Sequence, residues 1–529
     1  MASSYIWFIW PNPDADLPHK WTRWLRVVVA ALLVFLAATA WYNRATLHRM
    51  ATCNAGGPST ATWAAGDNCV GLSEGPYAFD LPAFAGVMQV IARQNDSSGA
   101  QCPGTPVTVG VLLTMTDEQA GGRAVHELEG MATAQRRANG TGCIHPIRLV
   151  VGNLGDYNGS GDALAVAREL AARGDVVAVA GVGLSQQTTA DIADHLAQQK
   201  IPMVSDVVTA EGFDQTGSHQ DTPDFASCDS DITYPRGVGK GYFYRVAFRA
   251  AKQVDQITAA LPDPPDFIAV PTGGSDPYTC TALPLIHRAY GNDVPEVKFD
   301  SAEPTTVPHT ARRICATPAD STVIYLARGR DLGRLLYSFD EAYSNGQCAA
   351  PSVTVVSTSD GNRMRTVEAD PALEDLRNQA LRSDALRDGR IRLLFTMVSG
   401  EASMQSDNPN WADFSEAFRA AGFDLAHADD GWAINAYDAL TTVATAVQAL
   451  PANQAVQSSE VNTVISGFTD PEHAVPGAGG PIVFDNSGNR TDPGPAVVRV
   501  CPPATGSDTI SYVPVVVAEP GKPMPECAA

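Results

Sequence analysis

The stretch "AVAGVGLSQQTTADIADHLAQQKIPMVSD", Ala178 to Asp206, reads as the end of a strand, a glycine-rich loop closing on a serine, a helix and a further strand. The strand, which begins at Val176, is apolar at every position. A strand covered on both faces, as in a parallel sheet, has this composition. The helix is amphipathic, with Ile192 and Leu196 four residues apart. The loop between them delivers the chain to a helix N-terminus, where backbone N–H groups point outward and carry partial positive charge. A serine hydroxyl at Ser185 beside those groups suits a carboxylate and catalyses nothing. The alternative is that Ser185 or Thr188 only caps the helix. The following strand ends in Val204-Ser205-Asp206, and the earlier "PVTVGVLLTM" (106–115) leads into Thr114-Met115-Thr116. Three polar strand ends therefore share one sheet edge.

Outward from this stretch the same alternation continues. "GGRAVHELEGMATAQRRANG" (121–140) is a helix with Val125, Leu128 and Met131 on one face and Gly140 as its stop. "IRLVVGN" is a strand, and "SGDALAVARELAARG" a helix started by Ser160 or Asp162 and ended by Gly174. A long polar, turn-rich loop from Phe213 to Gly241 breaks the pattern, and a second alternating set follows from about residue 245. Two alternating sets joined by crossings predict two α/β lobes with parallel sheets, which bind ligands in the cleft at the carboxyl ends of the strands.

Bulk properties narrow the function. The 529 residues exceed one ordinary core, and 44% hydrophobic with 18% charged residues is a globular composition. A net charge of −22 opposes phosphate backbones, so nucleic acid is not an expected partner. From Val27 to Asn43 there is no charge, with Lys20, Arg23 and Arg26 before it and Trp24 and Trp41 near its ends. That is the lower end of the roughly 17 to 25 residues that span a bilayer. It reads as an N-inside anchor. Ala38-Thr39-Ala40 keeps a cleaved secretory signal open. Either way the remainder is exported. All ten cysteines lie beyond this segment and none forms CxxC, which fits disulfides. Neighbours along the chain point to Cys53–Cys69, Cys102–Cys143, Cys315–Cys348 and Cys501–Cys527, with connectivity open.

Familiar catalytic motifs fail on inspection. "RGVGKG" (236–241) lacks the P-loop spacing and its Ser or Thr. Gly181-Val182-Gly183 is not followed by the third dinucleotide-binding glycine. Gly183-Leu184-Ser185-Gln186-Gln187 has glutamine where a nucleophile elbow needs glycine. "DNSGNRTD" from Asp485 places Arg490 where a calcium loop turns on glycine. There is no HExxH and no His/Asp/Glu cluster, so neither enzyme chemistry, a metal nor a cofactor is expected.

Several stretches, in this order, resemble the type 1 periplasmic binding proteins of the branched-chain amino-acid class, which are also similar to receptor ligand-binding domains. They are "VTVGVLLTMT" with "ELEGMATAQRRANG", the opening stretch, "YFYRVAFRAAKQ", "INAYDALTTVATAVQAL", and "GPIVFDNSGNR", which is similar to that class's late hairpin. The resemblance covers about residues 105 to 500. It implies a type I two-lobed fold with hinge crossings. The boundaries would be a cytoplasmic tail 1–23, an anchor helix 24–43, an arm 44–104, lobe one from 105–244 and 360–462, and lobe two from 245–359 and 463–529. It implies an interlobe ligand, small, polar and amino-acid-like. Ser185 and Gln186 would meet its carboxylate, Thr114, Thr116, Ser205 and Thr209 would line the first lobe, and Tyr278, Arg328 and Asp360 the second, with Asp360 pairing an ammonium. The partner would be an ABC permease or, for a sensor, a membrane signalling protein. An exported hydrolase or amidase on a similar fold and a module without a ligand are the rival readings. The polar loop from Phe213 and "PTGGSDPYTC" depart from the class pattern.

Overall fold

The computed structural model describes residues 19–42, 53, 60–66, 68–98, 102–117, 120, 122–140, 142–157, 162–217, 234, 236–273, 276–368, 370–399, 408–491, 494–503, 510–515 and 527. Helix α1 (His19–Tyr42) precedes a hairpin of β1 (Thr60–Ala65) and β2 (Asn68–Ser73), then α2 (Ala85–Ser97). Strands and helices then alternate. In order they are β3 (Val107–Leu113), α3 (Arg123–Ala138), β4 (Ile147–Asn153), α4 (Asp162–Ala171), β5 (Val176–Ala180), α5 (Gln187–Gln198), β6 (Met203–Ser205) and β7 (Phe243–Arg245). The second set begins with α6 (Ala250–Ala260), β8 (Phe267–Pro271), α7 (Pro277–Tyr290), β9 (Glu296–Phe299), α8 (Thr306–Cys315) and β10 (Ser321–Tyr325). It continues with α9 (Leu332–Ser344), β11 (Val353–Ser357), α10 (Pro371–Leu381), α11 (Asp384–Arg387) and β12 (Ile391–Thr396). Last come α12 (Pro409–Ala421), α13 (Trp432–Gln448), α14 (Ser458–Ile465), the hairpin β13 (Val475–Gly477) and β14 (Gly480–Ile482), then β15 (Val497–Cys501) and β16 (Ser511–Pro514).

The strands form the two-stranded hairpin β13-β14 and two seven-stranded sheets, ordered β1-β2-β4-β3-β5-β6-β7 and β16-β15-β12-β11-β10-β8-β9. Their centres are parallel, as the continuous apolar runs predict. β3, β5 and β11 are buried at every residue. One edge of each seven-stranded sheet is antiparallel, where β2 pairs β4 and β15 pairs β12, while the opposite edge strands β7 and β9 pair in parallel. The expected arm is thus partly a structural element, because its hairpin extends the first sheet.

The lobe boundaries need correction. Residues 360–398, expected in lobe one, belong to lobe two, where β12 pairs β11 in parallel. Residues 463–491, expected in lobe two, pack on lobe one: Val475, Ile482 and Phe484 share its core with α3 and α13. An apolar strand such as "IRLLFT" carries no mark of which sheet it will join. Lobe one is closed by α3 against α13, where Gly130 lets the backbones meet; a Cβ there would overlap the Ala433 carbonyl.

Among the described residues no helix is long and apolar enough to cross a membrane. The side chains described in α1 are those at 24, 25, 27–35 and 39, and Leu32, Leu33, Val34 and Phe35 among them are exposed. The tail before residue 19 lies outside the described residues. The four cysteine pairs read from chain order are disulfides, Cys280 is also disulfide-bonded, and no described cysteine is free.

Candidate functional site

The loop that opened the reading leaves β5 through Gly181, whose φ of +73° is the left-handed region that suits glycine. Gly183 has another purpose. A Cβ there would overlap the phenol of Tyr157 and press on the Thr114 methyl. Tyr157, on the loop after β4, is itself held at φ +58°, unusual for a bulky residue. Its hydroxyl lies 3.1 Å from Thr189 Oγ1, and that threonine in turn donates to the Leu184 carbonyl at 2.5 Å. So the glycine-rich loop holds an aromatic side chain from a neighbouring strand end. Burial pushes the Tyr157 phenol well above the ordinary tyrosine range, so it stays protonated.

Ser185 is 1% exposed. Its Oγ accepts the backbone N–H groups of Thr209 and Ala210, at 3.1 and 3.2 Å. It therefore ties the exit of β6 to the start of α5. Ser205 Oγ similarly accepts the Val208 N–H at 3.3 Å.

The second lobe contributes Arg328, on the loop after β10. Its Nη2 donates to Asp276 Oδ1 at 2.7 Å and, across the cleft, to the Ser185 carbonyl at 2.9 Å. Its guanidinium lies 4.6 Å from the centre of the Tyr278 ring. Burial works to lower its pKa, but Asp276 and Asp360 together hold it above the ordinary arginine value. Asp276 caps α7: its Oδ2 accepts the Thr279 hydroxyl at 2.8 Å and the Thr279 N–H at 3.3 Å. Tyr278 bonds Thr358 through its hydroxyl, and Asp360 Oδ1 accepts the Gly329 N–H at 3.2 Å.

Between these groups lies a cavity of about 460 Å³. Tyr157, Gln186, Gln187 and Thr188 line it from lobe one; Thr272, Asp276, Ser301 and Arg328 line it from lobe two. All sit beyond the carboxyl ends of strands, where open α/β sheets bind ligands. Of the residues read from sequence, Gln186 and Arg328 reach the cavity wall. Ser185, Thr209, Tyr278, Thr114, Ser205 and Asp360 are buried and do not line it. Thr116 Oγ1 is buried without a hydrogen-bond partner among the described residues. Sequence reading missed Tyr157 and Asp276. The "SDP" at 275–277 was a legible helix start, with an acidic cap before proline. Tyr157 had no signal beyond its place after a strand. Among the described residues there is no cluster that would hold a metal ion.

The fold is that of the type 1 periplasmic binding proteins. The branched-chain amino-acid transporter substrate-binding protein LivJ from Streptococcus pneumoniae, in complex with isoleucine, matches with a TM-score of 0.54 at 16% identity. The match covers 77% of this chain and 99% of that one. A periplasmic binding protein type 1 from Bordetella pertussis matches at 0.52 and 13% identity, over 77% of this chain and all (100%) of that one. A solute-binding protein of an ABC transporter from R. palustris, in complex with 4-hydroxybenzoate, matches at 0.51 and 17% identity, over 75% and 92%. No family model and no curated protein matches the chain. The resemblance read from sequence and the architecture therefore agree, and at these identities the agreement is one of fold.

Proposed function

We propose that this protein is an extracytoplasmic solute-binding protein that captures a small polar metabolite between its lobes and presents it to an ABC permease. The observation that carries this is the cavity of about 460 Å³ built from both lobes at the carboxyl ends of their strands. Its size is that of an ordinary small-molecule site. The structural neighbours in complex with isoleucine and 4-hydroxybenzoate support the same reading. Oxidised cysteines fit an exported domain. The membrane tether in this proposal rests on the sequence alone, where Val27 to Asn43 carries no charge. Ligand capture in this proposal is closure of the lobes about the crossings that follow β7, follow β12 and precede β15.

The test is thermal unfolding of the full chain in mild detergent across amino acids, aromatic acids, sugars and purines. A bound solute at a hundred times its dissociation constant adds about 2.7 kcal/mol, a clear upward shift in Tm. No shift with any class, from folded protein, would overturn the solute-binding reading.

A further inference from the structure

We propose that Asp206 and Glu127 act as a proton-dependent latch, sharing one proton while the lobes are together and giving it up to solvent as they part, so that acid favours the closed molecule. The proposal rests on capture by lobe closure. Asp206, at the exit of β6, is fully buried, and neither of its carboxylate oxygens makes a hydrogen bond among the described residues. Glu127, on α3, is also buried and pairs with Arg123 one turn earlier, Oε1 to Nε at 3.0 Å. That guanidinium lies 4.6 Å from the centre of the Trp432 ring. Asn435 Nδ2 donates to the backbone carbonyl of Asp206 at 3.0 Å and not to its carboxylate. Two buried carboxylates therefore face one guanidinium, and ionising both leaves a negative charge uncompensated in the interior.

Burial pushes the Asp206 carboxyl up, and the Glu127 charge pushes it further; its own N–H, Arg123 and the Val182 N–H draw it down without offsetting this. Burial likewise outweighs Arg123 at Glu127. The other titratable groups around α3 are engaged elsewhere. Tyr157 stays protonated, with Asp117 acting on its phenol, while His126 pairs with Asp430 and His427 with Glu129. Lobe two covers the cluster. The Val367 carbonyl sits against Gly122, immediately before Arg123, where a Cβ would overlap it. The Thr366 hydroxyl donates to Asp430. Val398, just past β12, packs with Val207 and Trp432 in a small apolar cluster apart from the main cores. Parting the lobes strips these covers, and hydrated carboxyls titrate at about 4. The closed molecule thus binds more protons than the open one. Its advantage is complete below about pH 4 and falls as pH rises, by up to about tenfold per unit, until the raised value is passed.

Pulsed electron paramagnetic resonance tests this on the full chain in detergent, without added solute, between pH 5 and pH 8.5. Spin labels are carried on unnatural amino acids introduced at the exposed positions Gln199 and Asn345, one on each lobe. The parent is expected to show the short interlobe distance at pH 5 and a growing longer population towards pH 8.5. Asp206→Asn, which keeps the shape of a protonated carboxyl, should hold the short distance throughout, and His126→Gln should keep the parent's response. If Asp206→Asn fails to fold, Glu127→Gln is expected to show the same loss of response. A parent distance that ignores pH, a response that survives Asp206→Asn, or one that vanishes in His126→Gln would overturn the latch. Solute capture is read separately, by the thermal shift at fixed pH, so the latch and the capture reading fail on different measurements.

Discussion

Gly183 and Tyr157 make one unit: the glycine has no side chain because the tyrosine's phenol fills that space. Gly183→Ala is expected to destabilise the protein by about 1–3 kcal/mol, the usual cost of overpacking. Thr114 crowds the same spot, so Tyr157→Phe in the Gly183→Ala background should recover part of the loss and not all of it. Urea denaturation of the single and double variants checks this. A second residue-scale pair lies behind the late hairpin. Arg490 Nη2 donates to the carbonyls of Gly479 and Gly480, each at 3.1 Å, and its Nη1 lies 3.7 Å from Asp438 Oδ2. Both side chains are fully buried. Burial pushes the Asp438 carboxyl up to about 6, although Arg490 and the Gly479 and Ala478 N–H groups pull it down. Arg490→Leu leaves that carboxylate unpaired and is expected to cost about 3–5 kcal/mol at pH 8. The loss should be smaller at pH 5, where Asp438 can take up a proton. Equal losses at both pH values would show that the pair is not what Arg490 stabilises.

Helix α3 carries a titratable contact between the lobes. His126 Nδ1 lies 2.6 Å from Asp430 Oδ2, and the same oxygen accepts the Thr366 hydroxyl of lobe two at 2.9 Å. The His126 ring stacks on His427, with centroids 4.4 Å apart, and His427 Nδ1 is 2.8 Å from Glu129 Oε2. Burial lowers the His126 pKa, but the charge and hydrogen bond of Asp430, with Glu129 and Glu127, raise it overall. A raised histidine contributes stability that is complete below its unfolded value near 6.5 and is lost as pH climbs through the folded value. Stability should therefore fall from pH 6 towards pH 8. His126→Gln is expected to cost about 1–3 kcal/mol at pH 5.5, the range for a charge-assisted hydrogen bond, and less at pH 8.5. Denaturation midpoints across that range decide it; parallel pH profiles for the variant and the parent would contradict the assignment.

Across the whole molecule, the two lobes are held together by a few named contacts as well as by the chain crossings. Arg328 reaches the Ser185 carbonyl, the Glu211 N–H donates to Thr281 Oγ1 at 3.0 Å, and Arg365 pairs with Asp429. The four described disulfide pairs each stay within one lobe and brace it. Cys102–Cys143 closes the longest of those loops, with a separation of 41 residues. Its removal by Cys102→Ala with Cys143→Ala is expected to cost about 3–4 kcal/mol on the loop-entropy argument, most of it read as lost stability of lobe one. The shorter Cys53–Cys69 loop, of 16 residues, should cost less. Calorimetric unfolding of the two double variants ranks them.

Much of this was legible before any coordinates. Hydrophobic period alone located β3, α3, β5 and α5, because a covered parallel strand and an amphipathic helix must bury different patterns. Chain order marked four disulfides, since short loops close at the least entropic cost. The local sequence could not say that β12 joins the second sheet, because hydrophobic strands of equal quality fit either one. Nor could it assign Ser185 its bonds. A serine after a strand looks alike whatever its hydroxyl meets, and only packing of the β6 exit against α5 places two backbone N–H groups on its Oγ. Tyr157 and Arg328 became neighbours of one cavity through the placement of two sheets, a long-range arrangement no window of sequence contains.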